Sequence, residues 1–177
     1  LQTAQQILVS EDLVPAGVQG LILGQMSRFP RHRILPKAVR PYSYNGGGLR
    51  LPDGTLAWPP STLGRALQVL APQPQEHALV IGVQAGGAAG LRAAAGLEVT
   101  LFDPQPERAR LVRKALGRVE LDGYDPEKIR AARKWEDVRA AGPFDCILVQ
   151  GAVAEGPGDW TDRLAQEGGR LVAPEGL

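Results

Sequence analysis

Four glycines follow a short apolar run, and one carboxylate stands at a fixed distance behind them. Gly82, Gly86, Gly87 and Gly90 come after Ala78-Leu79-Val80-Ile81, and Asp103 lies 21 residues beyond Gly82. A glycine turn lets backbone N–H groups come close to a ligand, and an acid about 20 residues further on can accept hydrogen bonds from both hydroxyls of a ribose. Together they point to a cofactor that carries adenosine. Two plainer roles fit the same letters. A small-residue helix lying tightly on a sheet needs such glycines, and Asp103 before Pro104 also reads as a helix N-cap, which is compatible with a ribose contact.

These residues need a sheet to hold them. Ala78 to Gly82 predicts a strand, the small residues through Ala95 a helix, and Val99 to Asp103 a second strand. A helix follows on Ala109, Leu111, Val112, Ala115 and Leu116, stopped at Gly117, with Pro104 as its first-turn proline. Phe144 to Val149 is near-continuously apolar, as a strand buried on both faces must be. A helix around Thr161 to Gln166 and a strand Arg170 to Val172 close the pattern, while Arg118–Leu121 and Lys128–Ala132 compete for one further strand. Such alternation predicts an α/β fold with a doubly wound, mostly parallel sheet in a three-layer sandwich, and ligands at the carboxyl ends of its strands.

The first third reads differently. Val14, Val18, Leu21, Ile22 and Met26 fall at helical spacing, and the prolines and the Gly46-Gly47-Gly48 run make residues 27 to 60 extended or looped. A helix after Ser61 carries Leu63, Ala66, Leu67 and Leu70 and ends before Pro72. We therefore divide the 177 residues into an N-terminal helix-and-loop extension over 1–60 on the substrate side and a cofactor-binding unit over 61–177. From Leu13 to Pro52 there is no acidic residue, against Arg28, Arg31, Arg33, Lys37, Arg40 and Arg50, which read as a solvated rim of the site.

Composition excludes several classes. Twenty Lys plus Arg against nineteen Asp plus Glu leave a formal charge of +1, so no global field draws nucleic acid or an anionic membrane. One cysteine, Cys146, and two histidines, His32 and His77, predict no disulfide and no metal site. The first positive charge is Arg28, and no apolar run reaches the roughly 18 residues of a membrane span, which predicts a cytoplasmic protein without a signal peptide. Cys146 reads as a buried thiol, Trp58 as cover for a core edge and Asp145 as structural.

Longer strings carry a resemblance. Arg31-His32-Arg33-Ile34-Leu35-Pro36, Tyr44-Asn45, Leu49 to Pro59, Leu79 to Gly87, Val99 to Asp103, Gly142 to Val149 and Leu164 to Gly176 occur in this order. In that order they resemble the protein-L-isoaspartate O-methyltransferase family, a branch of the Rossmann-like class I methyltransferases. The resemblance implies S-adenosylmethionine as cofactor and a protein or peptide substrate carrying isoaspartate. It places Asp103 on the ribose, the backbone of Gly82 and Gly86 near the cofactor, and Thr55 and Ala57 beside the acceptor.

Three positions depart from the family pattern. An acid near the cofactor's methionine part is replaced by Val80, a turn glycine by Gln84, and the serine of a Thr-Ile-Ser-x-Pro string by Ala57. The sequence also stops at Leu177, where the family continues into further strands, so a protein partner completing that end is one expectation. The departures predict weak methyl transfer. Two other readings stay open: a non-catalytic methyltransferase-fold binding or assembly module, and a nucleic-acid methyltransferase using the basic segment.

Overall fold

The computed structural model describes residues 2–82, 86–151 and 158–173. The chain opens with helix α1 (Gln2–Leu8), which widens into a π-type turn over Val9–Leu13. The helix predicted from Val14 is interrupted. Val14 N–H donates to Val9 O, Val18 N–H to Leu13 O, and Gly17 and Gly20 take positive φ, so α2 starts only at Gly20 and runs to Arg28. Val18 and Ile22 are buried as expected, while Val14 and Leu21 are exposed. Residues 27 to 60 hold short elements rather than loops alone: α3 (Arg31–Ile34), a 3-10 turn over Lys37–Tyr42 and a hairpin of β1 (Leu49–Arg50) with β2 (Leu56–Ala57). Arg31 Nη1 donates to Ser43 O at 3.2 Å and His32 Nδ1 meets the Tyr44 hydroxyl at 2.8 Å, which ties α3 to the turn segment leading into the hairpin.

Helix α4 (Pro60–Leu70) ends at Ala71 in left-handed backbone, just before Pro72. The alternation then follows: β3 (His77–Ile81), α5 (Gly87–Ala94), β4 (Glu98–Phe102), α6 (Pro106–Leu116), β5 (Ile129–Ala131), α7 (Trp135–Ala141), β6 (Cys146–Val149), α8 (Gly158–Thr161) and β7 (Arg170–Val172). Five of these strands form one parallel sheet in the order β5-β4-β3-β6-β7. Lys128–Ala132 therefore supplies the uncertain strand. Two predicted helices shift. The proline that opens α6 is Pro106, because Asp103 Oδ1 accepts the Gln105 N–H at 2.8 Å and folds Asp103-Pro104 into a turn. The segment after Thr161 is not helical, because Phe144 and Leu164 form a parallel bridge, with Ala165 N–H donating to Phe144 O.

Side chains alternate across the sheet and fill two layers. Ala78, Val80, Val99, Leu101, Cys146 and Leu148 meet α4, α5 and α6 together with Leu13, Val18 and Phe29 of the N-terminal segment. Leu79, Ile81, Ile147 and Val149 meet Phe144, Val138 of α7 and Trp160 of α8. Burial pushes the Cys146 thiol up to about 11, as expected of an inert cysteine.

The first layer contains one misfit. Arg92 on α5 is 1% exposed, and none of its three guanidinium nitrogens has a hydrogen-bond partner. Glu76, the carboxylate whose charge reaches it, is already held by Arg170 at 2.7 Å. Burial lowers the Arg92 guanidinium to about 10. An unpaired buried cation costs stability that an apolar side chain of similar length does not. Arg92→Met should therefore stabilise the fold by on the order of 1–3 kcal/mol, read as a rise in Tm by thermal denaturation; a fall would show that the guanidinium is partnered in solution.

Glu76 carries the complementary expectation. The Arg170 hydrogen bonds hold its carboxyl below the usual range against the effect of burial. With the folded pKa depressed, this stabilisation is complete above the ordinary carboxylate pKa and is lost as pH falls through the folded value. Glu76→Gln should thus flatten the acid limb of the stability–pH curve.

Candidate functional site

In a parallel sheet that turns both ways from one strand, the crevice opens at the carboxyl ends of the strands where the order reverses. Here β3 feeds β4 on one side and pairs with β6 on the other, and a cavity of about 330 Å³ lies at that point. Its wall includes Ile81 at the end of β3 and Gly82 after it, Asp103 to Gln105 after β4, Gln150 and Gly151 after β6, Thr55 from the hairpin turn, and Arg108 of α6.

Gly82 is required there. The ladder continues past the strand ends, with Gly82 N–H donating to Phe102 O at 2.9 Å and Gln150 N–H to Ile81 O at 2.8 Å. The residue has φ +71, and a Cβ on it would overlap the Gln150 carbonyl oxygen. Only glycine closes the turn without pushing β6 away.

Asp103 is buried at 1% exposure and is far from idle. Besides the Gln105 N–H, it accepts from Arg108 Nη1 at 3.2 Å. Arg108 Nε donates to Asp53 Oδ2 at 2.9 Å and Nη2 to Gln105 Oε1 at 3.2 Å. Asp53 in turn accepts the Thr55 hydroxyl and the Thr55 N–H, and these bonds with Arg108 hold its carboxyl below the usual range. One guanidinium thereby joins the hairpin turn of the N-terminal extension to the acid at the end of β4.

Gln150 adds a different feature. The residue is 4% exposed, and its Oε1 has no hydrogen-bond partner, although it lines the cavity. A buried acceptor left without a donor marks a place where a ligand donor fits.

The structure brings Thr55, Gly82 and Asp103 of the predicted site residues to this one cavity and places three others elsewhere. Val80 is buried in the sheet between Leu101 and Leu148. Ala57 lies in a small apolar cluster with Leu35 and Leu51. At Gly86, a Cβ would strike Val112 and Leu116 of α6, so this glycine makes room for helix packing, as does Gly90 for the Phe29 ring. Gln84 lies outside the described residues. Sequence reasoning passed over Arg108, Asp53 and Gln150. Gln150 was within reach, since it ends an apolar run and therefore sits at a strand's carboxyl end. Among the described residues no cluster of His, Cys, Asp and Glu could hold a metal ion, and no helix is long and apolar enough to cross a membrane.

Comparison with known proteins agrees with this geometry. A family model described as protein-L-isoaspartate(D-aspartate) O-methyltransferase matches residues 9–177. A protein-L-isoaspartate O-methyltransferase of Pelotomaculum thermopropionicum is 28% identical over 96% of this chain and 72% of its own length. A solved protein-L-isoaspartate O-methyltransferase superposes with a TM-score of 0.79 at 19% identity, over 96% of this chain and 55% of that one. A second solved structure, from Plasmodium falciparum and in complex with S-adenosyl-L-homocysteine, gives 0.74 at 16% identity over 97% and 84%. At these identities the two structures speak for the fold.

The Arg108 bridge has a direct test. Removing the guanidinium leaves Asp103 buried without its cation and frees the hairpin turn, so Arg108→Met should cost on the order of 1–3 kcal/mol. Hydrogen exchange should quicken in residues 49–57 more than in the central strands; unchanged protection there would deny the bridge a holding role.

Proposed function

The chain belongs to the protein-L-isoaspartate O-methyltransferase family, and from that premise we propose that it is an S-adenosylmethionine-dependent carboxyl methyltransferase acting slowly on isoaspartyl residues of protein or peptide. One observation carries the reading: Thr55, Gly82, Asp103 and the unpartnered Gln150 oxygen line a single cavity at the strand ends.

The residues present fit the donor. Asp103 would take the ribose hydroxyls, Gln150 Oε1 offers a desolvated acceptor, and Gly82 keeps the backbone open beside them. S-adenosylmethionine, when bound, supplies a methyl group on a sulfonium. The acceptor carboxylate has a pKa near 4 and is already ionised at neutral pH, so the chain needs no general base. Its work is alignment. Thr55 stands on the cavity wall with its hydroxyl donated to Asp53, while Ala57 has no hydroxyl to offer. Residues 1–60 form the acceptor side in this reading and 61–177 the donor side, in a cytoplasmic protein.

Neither Val80, in the sheet core, nor Ala57, in its apolar cluster, brings a polar group to the cavity, and a glutamine stands where the family has a turn glycine at 84, so donor binding and acceptor placement rest on few contacts. Turnover of an isoaspartyl peptide, followed by transfer of a radiolabelled methyl group, should be far below that of the Pelotomaculum relative; equal rates would refute the slow-enzyme reading. Rebuilding is constrained, because Val80→Glu would place a carboxylate in the sheet core and lower stability.

A second reading, a binding module that kept the fold, is favoured by Arg108 already resting on Asp103. Calorimetry with S-adenosyl-L-homocysteine separates the two. Binding that weakens about tenfold or more in Asp103→Ala, as loss of charge-assisted bonds worth roughly 1.5–3 kcal/mol requires, supports the enzyme. No binding at millimolar ligand supports the module.

A further inference from the structure

The acid-free stretch has a use beyond the rim of the donor site. A second cavity, of about 390 Å³, opens between α3, the turn of the β1–β2 hairpin and α6. Its floor is apolar, built from Ile34, Leu35, Leu51, Leu111, Val112 and Ala115. Leu111 is 52% exposed, so its aliphatic side chain lies open to solvent there, while Ile34, Leu35 and Leu51 are buried beneath. Arg33, Arg40, Arg108 and Arg118 stand around this floor, against one carboxylate, Asp53, which Arg108 already holds. Arg33, Arg40 and Arg118 form no ion pair among the described residues.

We propose that this cavity binds a small amphipathic anion, with an aliphatic chain on the leucine floor and a carboxylate or phosphate head among the arginines. Size and lining suit it, since small-molecule pockets are mostly apolar with a few convergent polar groups and begin near 300 Å³. Three guanidinia without an ion pair, beside an Arg108 already held by Asp53 and Asp103, favour a negative head, and guanidinium matches both carboxylate and phosphate geometry. The apolar floor requires a tail. Nucleic acid fits less well, because no lining residue is aromatic and the floor is aliphatic. The inference is independent of the methyl donor, because this cavity's lining contains neither Gly82, Asp103 nor Gln150 and shares only Arg108 with the other.

His32 provides an internal reporter. Burial lowers its pKa, and the charges of Arg33 and Arg40 lower it further. An anion held by those arginines offsets their field and favours the imidazolium, so the His32 pKa should rise. His77, the other histidine, lies on the sheet beside Thr100, with Nε2 2.9 Å from its hydroxyl, and should not move.

The experiment uses octanoate, octyl phosphate, octylamine and inorganic phosphate on the full chain, with calorimetry for affinity and NMR for the two imidazoles. Octanoate or octyl phosphate should bind at least tenfold more tightly than octylamine and inorganic phosphate, and should raise the pKa of His32 alone. The tighter of the two identifies the head group. Arg33→Glu with Arg118→Glu, and separately the exposed Leu111→Asp, should each weaken binding tenfold or more while Tm stays within a few degrees. Equal binding of octylamine would mean a merely greasy surface, equal binding of inorganic phosphate a merely basic one, and either overturns the proposal. So does absence of binding by the folded protein, or binding that leaves His32 unmoved. None of these arms contains a methyl donor, so failure here is distinct from failure of the transferase reading.

Discussion

Strand β3 is paired on both edges and covered on both faces, and the rest of the architecture answers to that. Ala78, Leu79, Val80 and Ile81 are each no more than 4% exposed. A parallel strand cannot be joined to its neighbours by a tight hairpin, so each neighbour must be reached by a crossover that itself covers a face. The chain covers one face on its way to β4 and β5 and the other on its way to β6 and β7. Reversal at β3 leaves the crevice after Ile81 and Val149, where Gly82 and Gln150 nearly touch. The site is thus a consequence of topology before any side chain is chosen for chemistry.

A second constraint joins the two halves of the sequence. The N-terminal extension reaches the sheet through buried apolar residues such as Leu13, Val18 and Phe29, which share the core with β3 and β4. Those contacts are non-directional and leave the hairpin turn free to settle at several heights above the strands. Arg108 fixes it, because a guanidinium has donors on two edges and can hold two carboxylates at once. Asp53 belongs to the hairpin and Asp103 to the sheet, so the bridge sets how far Thr55 stands from the strand ends.

The inner strands were legible in the sequence because burial on both faces writes an apolar run, and β3, β4 and β6 fall where those runs do, while β7, half-buried at the other edge, was legible from the Gly-Gly-Arg-Leu-Val string. β5 was ambiguous because Ile129–Ala131 is short and lies at the sheet edge, where one partner suffices. The early helix was misplaced for a different reason. Its periodicity from Val14 to Met26 is real, but Gly17 and Gly20 in left-handed backbone break the chain between Val14 and Ile22, and periodicity is blind to φ. For the site, Gly82 and Asp103 were legible by spacing. The roles of Gly86 and Gly90 were not, since a glycine that admits Val112 or the Phe29 ring is spelled like one that admits a ligand. Arg108 and Asp53 are 55 residues apart, and no local pattern announces such a pair.

The lengths of the Arg108 bonds rank its two attachments. A charge-assisted N–H to carboxylate bond is commonly about 2.7–2.9 Å; the arm to Asp53 has that length, at 2.9 Å, whereas those to Asp103 are longer, at 3.2 and 3.4 Å. The shorter arm goes to the more exposed acid and the longer pair to the buried one. Asp103 also keeps acceptor capacity, because each carboxylate oxygen has two lone pairs and the Gln105 N–H occupies one of them. A ribose that needed this acid would compete with the Nη1 arm of Arg108 and not with the Nε arm to Asp53. Arg108 also lines the arginine-rimmed cavity. The two cavities therefore share this one side chain in their walls.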